Sequence, residues 1–126
     1  MRLSVGLDIL DVSEVEESLR MHGVRYLRRL YTERELADCV GPGGAPDSRA
    51  LAVRFAAKEA ALKALGAGVQ AIPWSSVEMS RDGVLRLSGP AAALARRRGA
   101  RELSVSVAQT KTSAAAVVLA WEDEPR

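Results

Sequence analysis

The chain has 126 residues, 48% of them hydrophobic and 27% charged, with a net charge of +2 at pH 7. That is one domain's length, with enough apolar residues to bury a core and too few to leave the chain disordered. The single cysteine, Cys39, excludes an intrachain disulfide framework and a cysteine-built zinc site.

Met1–Asp8 has too short an apolar run for a leader and carries a charge inside it. No stretch approaches the length of a membrane span. A reducing, cytoplasmic setting is therefore expected. Residues 2–10 alternate at first and then turn apolar around Asp8, which predicts a strand ending near Asp8. Asp11 or Ser13 caps a helix over about 13–22, aided by Glu14, Glu16 and Glu17 and stopped by Gly23. A short helix follows near Val24–Leu30. Thr32-Glu33-Arg34-Glu35 reads as a capping box that starts a helix to about Cys39. Gly41-Pro42-Gly43-Gly44-Ala45-Pro46 has the composition of a flexible loop.

A long helix is predicted over about 48–65, capped by Asp47 or Ser48 and ended by Gly66 and Gly68. Ile72-Pro73-Trp74 precedes a strand at about 76–80, and Asp82-Gly83 turns it back into Val84–Leu87. Pro90 opens a helix to about Arg98, closed by Gly99. Leu103–Ala108 and Ala114–Trp121 form a final hairpin around Gln109–Thr112, and the polar tail Glu122–Arg126 is expected to fray. The elements describe a single α+β domain, residues 1–126, with an antiparallel sheet on a long central helix.

The long helix carries the chemistry. Most of its outer surface reads as alanine, leaving room for a ligand or another backbone. Arg54 and Lys58, four apart, share one face; Glu59 and Lys63 share another. One reading is a core helix with a minor Glu–Lys ion pair. The other begins at Asp8, a carboxylate flanked by Val5, Leu7, Ile9 and Leu10, which is costly to bury unless paired or bound to a metal. Its alternative is a strand-end residue facing water. Asp8 and Glu59, from separate elements, together with a phosphate, make a usual Mg²⁺ site. Lys63 would reach a phosphate oxygen or a leaving group, and Arg54 and Lys58 would bind further phosphate. That set describes phosphoryl transfer. Walker and dinucleotide motifs are missing, and the only histidine, His22, excludes a Ser-His-Asp set.

Arginine is concentrated in two groups: Arg20, Arg25, Arg28, Arg29 and Arg34, then Arg96, Arg97, Arg98 and Arg101. Arginine forks hold phosphate or carboxylate, so an anionic partner is one reading and solvated helix faces the other. Nucleic acid is not expected, because aromatic residues are few and no recognition motif accompanies the charge.

Gly6-Leu7-Asp8-Ile9, the run Arg25–Glu35, and Arg54-Phe55-Ala56-Ala57-Lys58-Glu59-Ala60-Ala61-Leu62-Lys63-Ala64-Leu65-Gly66 resemble holo-acyl-carrier-protein synthases. These are small 4′-phosphopantetheinyl transferases, and the likeness spans nearly the whole chain. The resemblance implies transfer of 4′-phosphopantetheine from coenzyme A to a serine of an acidic acyl carrier protein. It implies Mg²⁺ on Asp8 and Glu59, with Glu59 helping to remove the serine proton. Lys63 would stand at the leaving phosphate, and Arg54, Lys58 and the close-approach glycine Gly66 near coenzyme A. It also implies carrier docking on Arg20, Arg25, Arg28 and Arg29, and a homotrimer with active sites between subunits. Two positions depart from the family pattern: Glu14 stands for an arginine in the docking helix, and Gln109 for a histidine after Ser106-Val107-Ala108. Gln109 would still hydrogen-bond a phosphate or ribose but carries no charge. A polyketide-type carrier is one specialised partner consistent with these changes. A catalytically weak or inactive coenzyme A and carrier-binding module is the alternative.

Overall fold

The computed structural model describes residues 1–67 and 72–123. Strand β1 (Arg2–Asp11) is followed by helices α1 (Val12–His22), α2 (Val24–Leu30) and α3 (Glu33–Asp38), and then by the long helix α4 (Ser48–Ala64). A short hairpin, β2 (Val77–Met79) and β3 (Leu85–Leu87), leads to helix α5 (Gly89–Arg98) and the closing strands β4 (Ala100–Gln109) and β5 (Ser113–Glu122). Two antiparallel sheets form where the sequence predicts one: β1-β5-β4, and the separate β2-β3 pair. The first strand thus closes on the last, in continuous register from Arg2 opposite Glu122 to Asp11 opposite Ser113.

The expected end of β1 near Asp8 is corrected. The strand continues to Asp11, and Asp8 sits inside it opposite Ala116. Pairing along the whole of β5 extends β1 past the point where its own apolar pattern changes. The polar tail is corrected at its first residue as well. Glu122 ends β5 fully buried and takes the Arg2 guanidinium at 2.9 Å. Asp123 N donates to Gly99 O at 2.9 Å, and the rest of the predicted fraying, at 124–126, lies outside the described residues.

Local signals account for most boundaries. Thr32 and Glu35 exchange both capping-box bonds, at 3.2 and 3.0 Å. Asp47 Oδ1 accepts from Arg49 N and Ala50 N, at 3.1 and 3.2 Å, and opens α4. Gly66, at φ +68°, closes it: Ala67 N donates to Leu62 O and Gly66 N to Lys63 O. Gly68, expected to share that stop, lies outside the described residues. The glycine-rich loop forms a 3₁₀ turn at Pro42–Gly44, held at its base by Gly41 N to Ala45 O (2.6 Å) and Asp47 N to Cys39 O (2.7 Å).

Helix α4 lies across one face of the three-stranded sheet. Its alanines are not an open surface. Ala52, Ala56, Ala57, Ala60, Ala61 and Ala64 are all buried in the core, with Ala114, Ala116, Val118 and Ala120 of β5. Small residues on both sides let the helix sit close to the sheet. The opposite face of the sheet leaves Leu3, Val5, Leu7 and Ile9 52–68% exposed. Among the described residues, no helix is long and apolar enough to cross a membrane.

Candidate active site

Gly6 sets the geometry. A Cβ there would overlap the Ala60 carbonyl oxygen and fall 2.7 Å from Ala64 N. Only glycine lets β1 approach α4 so closely. Side chains alternate along a strand, so Asp8 leaves β1 on the same face as Gly6. Glu59 and Lys63, each adjacent to one of the two contacted alanines, border that contact. Lys63 Nζ donates to Asp8 Oδ1 and to Leu7 O, both at 3.1 Å. The Asp8 side chain is 14% exposed and that of Lys63 50%. Asp8 is therefore a paired, mostly covered carboxylate, not a strand-end residue facing water, and Lys63 turns to Asp8 for its ion pair.

The Glu59 carboxyl is raised above its ordinary pKa, first by burial and then by the negative charge of Asp8, with Lys63 opposing. Two mutually repelling carboxylates and one ammonium thus meet at the C-terminal half of α4. Among the described residues no three histidine, cysteine or acidic groups gather around one point. Two carboxylate oxygens are what Mg²⁺ takes when waters and phosphate complete its octahedron, so the donor set fits that ion. Soft-metal sites, which need sulfur or several imidazoles, do not fit it.

Lys58 lies elsewhere, and its expected phosphate role is corrected. Its side chain and that of Glu35 are both 0% exposed and form an ion pair. Glu35 also accepts from Thr32 N at 3.0 Å and Met79 N at 3.1 Å, and the Lys58 ammonium stands 5.4 Å from the Tyr31 ring centre. Burial lowers the Lys58 pKa, and Glu35 counters it. Arg54 is 8% exposed, donates to Ala50 O at 3.3 Å and stands 3.7 Å from Asp38. The face shared by Arg54 and Lys58 points into the protein, toward α3 and β2. Neither side chain reaches a phosphate in this arrangement.

Gln109 is also set apart from Asp8. It pairs with Ala114, two residues along β5 from the Ala116 that faces Asp8. It lines a cavity of about 570 Å³ with Gly41, Pro46, Arg49, Ala50 and Lys111. Ala50 precedes Glu59 by nine residues, or about 13 Å of helix. Arg49 and Lys111 escaped the sequence reading, because nothing local connects the start of α4 to the last hairpin. Gly66 keeps its close approach, but the group over it is Arg98 of the same chain, whose Cζ lies 3.0 Å from where a Cβ would stand.

The four arginines on α1 and α2 separate. Arg25 and Arg29 line a groove of about 470 Å³ with His22, Tyr26, Phe55 and Trp74. The last two rings stack at 5.0 Å. Arg28 faces a different hollow, with Tyr31, Glu33 and Leu36. Arg20 is tied to Glu17, Nε to Oε2 at 3.2 Å. Glu14 accepts from Asp11 N at 2.9 Å and so caps the start of α1.

The family model described as 4′-phosphopantetheinyl transferase superfamily matches residues 4–119. The holo-[acyl-carrier-protein] synthase of Moorella thermoacetica is 40% identical over 124 residues, covering 93% of this chain and 92% of that one. That of Chloroflexus aurantiacus is 37% identical over 131 residues, covering 92% and 96%. Among solved structures, the ACPS–CoA complex of Chronobacterium ammoniagenes superposes with a TM-score of 0.82 at 25% identity, covering 98% of this chain and all of that one.

Proposed function

The chain belongs to the 4′-phosphopantetheinyl transferase superfamily and is an enzyme of the holo-[acyl-carrier-protein] synthase kind. From that premise we propose that it transfers 4′-phosphopantetheine from coenzyme A to a serine of an acidic acyl carrier protein, in an Mg²⁺-dependent reaction. The serine Oγ forms a bond to the transferred phosphorus. The diphosphate P–O bond breaks, and 3′,5′-ADP leaves with its electron pair.

The convergence of Asp8, Glu59 and Lys63 beside Gly6 carries this reading. Asp8 and Glu59 are the residues that would hold Mg²⁺, which when bound offsets charge on the diphosphate. Glu59, beside Asp8 and Lys63, is the carboxylate that helps to remove the serine proton. Lys63 places an ammonium where charge grows on the leaving phosphate. The cavity holding Arg49, Gln109 and Lys111 supports binding of the phosphorylated end of coenzyme A. Arg54 and Lys58 act there only through the packing of α4.

The groove with Arg25 and Arg29 at its edge and stacked rings inside suits a carrier that is acidic with an apolar anchor. The half-exposed apolar row Leu3, Val5, Leu7 and Ile9 supports association into a homotrimer. Sedimentation velocity tests that assembly; a monomer at working concentration excludes it.

For the activity, the protein is incubated with coenzyme A, Mg²⁺ and a panel of apo carriers, and the carriers are weighed by mass spectrometry. The expected result is addition of one phosphopantetheine to at least one carrier. Asp8→Ala and Glu59→Ala should each abolish it while circular dichroism shows the fold retained. Turnover in either variant removes the metal-site assignment.

A further inference from the structure

Lys63 holds two acceptors at once, Asp8 Oδ1 and Leu7 O, at 3.1 Å each. Asp8 is largely covered by the sheet and by α4, so its charge needs a partner, and the Lys63 ammonium is that partner. A divalent ion on Asp8 would sit about 2 Å from a carboxylate oxygen. The ammonium and the ion then compete for one carboxylate and repel each other at close range. Lys63 is the one that can yield. It is half exposed, lies at the edge of α4, and has an unbranched stem that swings by rotamer change without moving the helix. Withdrawing into water alone forfeits both hydrogen bonds. A diphosphate beside the ion offers the ammonium new acceptors, of the kind a lysine takes most readily.

We propose that Lys63 couples metal and diphosphate binding by exchanging partners: it occupies Asp8 until a diphosphate draws it away, and this frees Asp8 for the metal. The metal and coenzyme A therefore bind cooperatively, and Lys63 carries part of the coupling. By linkage the effect is reciprocal, each ligand raising the other's affinity by the same factor. This gives Lys63 a role in ligand binding beside its role at the leaving group, and it rests on the assignment of Asp8 as a metal ligand.

Mn²⁺ serves as the probe, with free ion counted by electron paramagnetic resonance, so no turnover is needed. The unaltered protein, Lys63→Met and Asp8→Asn are titrated without coenzyme A. Coenzyme A affinity is then measured calorimetrically with and without Mn²⁺, corrected for the metal that coenzyme A binds alone. Lys63→Met should bind Mn²⁺ about tenfold more tightly than the unaltered protein, a size typical of coupling between sites. The factor by which Mn²⁺ raises coenzyme A affinity should fall by about as much. Equal Mn²⁺ affinity in the unaltered protein and Lys63→Met overturns the exchange, even where Asp8→Asn shows the site to be real. Equal affinity in the unaltered protein and Asp8→Asn removes Asp8 as a ligand, and with it the metal-site reading beneath.

Discussion

Replacing Lys58 with methionine distinguishes a phosphate-binding lysine from an interior one. Lys58 and Glu35 are both 0% exposed, so the variant leaves a buried carboxylate without its cation. Breaking a buried pair from one side costs about 3–5 kcal/mol. The lower end applies here for two reasons. Glu35 keeps the Thr32 and Met79 amides, at 3.0 and 3.1 Å, and methionine keeps most of the lysine stem, so little cavity opens. A loss of about 3 kcal/mol is a large part of a domain's stability and lowers Tm by roughly 12 °C. Removing the stranded charge as well, in Glu35→Gln with Lys58→Met, should recover most of that loss, since a neutral buried pair needs no counter-ion. Urea unfolding followed by circular dichroism at one protein concentration measures the cycle, and steady-state assays give the KM for coenzyme A. The KM should be unchanged in the folded single variant. A Lys58→Met protein that unfolds at the normal urea concentration, while its KM for coenzyme A rises, would refute the interior assignment.

Gly6→Ala should lower stability by about 1–3 kcal/mol, because the new methyl meets helix backbone that has no rotamer to change. It should also lower kcat by about a hundredfold, since β1 and Asp8 must move away from α4; an active variant of normal stability contradicts the close-packing argument. Glu59→Gln should raise the Tm of the metal-free protein at pH 7–8 and leave it unchanged below the ordinary carboxylate range. A carboxyl raised by folding binds its proton more tightly when folded, so stability falls as pH climbs from 4.5 through the raised value, and glutamine removes that fall. Melting curves from pH 3.5 to 8 test the sign. Reversing Arg25 and Arg29 to glutamate should raise the KM for an acidic carrier about tenfold, mostly at low salt, with the KM for coenzyme A unaltered. A salt-independent change, or none, takes the carrier away from that groove.

What could be read from the sequence was whatever neighbours decide. Asp47 caps α4 and Gly66 stops it because the residues that satisfy a helix's free ends lie within one turn of them. The Thr32–Glu35 box and the final hairpin are local in the same way. Asp8, Glu59 and Lys63 were legible as a set, because a charge in an apolar strand and a spacing of four on a helix are visible in one dimension. The inward turn of Arg54 and Lys58 was not. Helix periodicity puts them on one face and says nothing about which way that face looks; Glu35 and Met79, from α3 and β2, decide it. The alanines misled for a related reason, since a small side chain marks close approach without saying what approaches. Gly6 and the alanines of β5 supply the answer, from opposite ends of the chain. Asp8 itself lies mid-strand because β5, more than a hundred residues later, pairs along the whole of β1. Contacts that distant depend on the assembled sheet, and only the folded chain contains them.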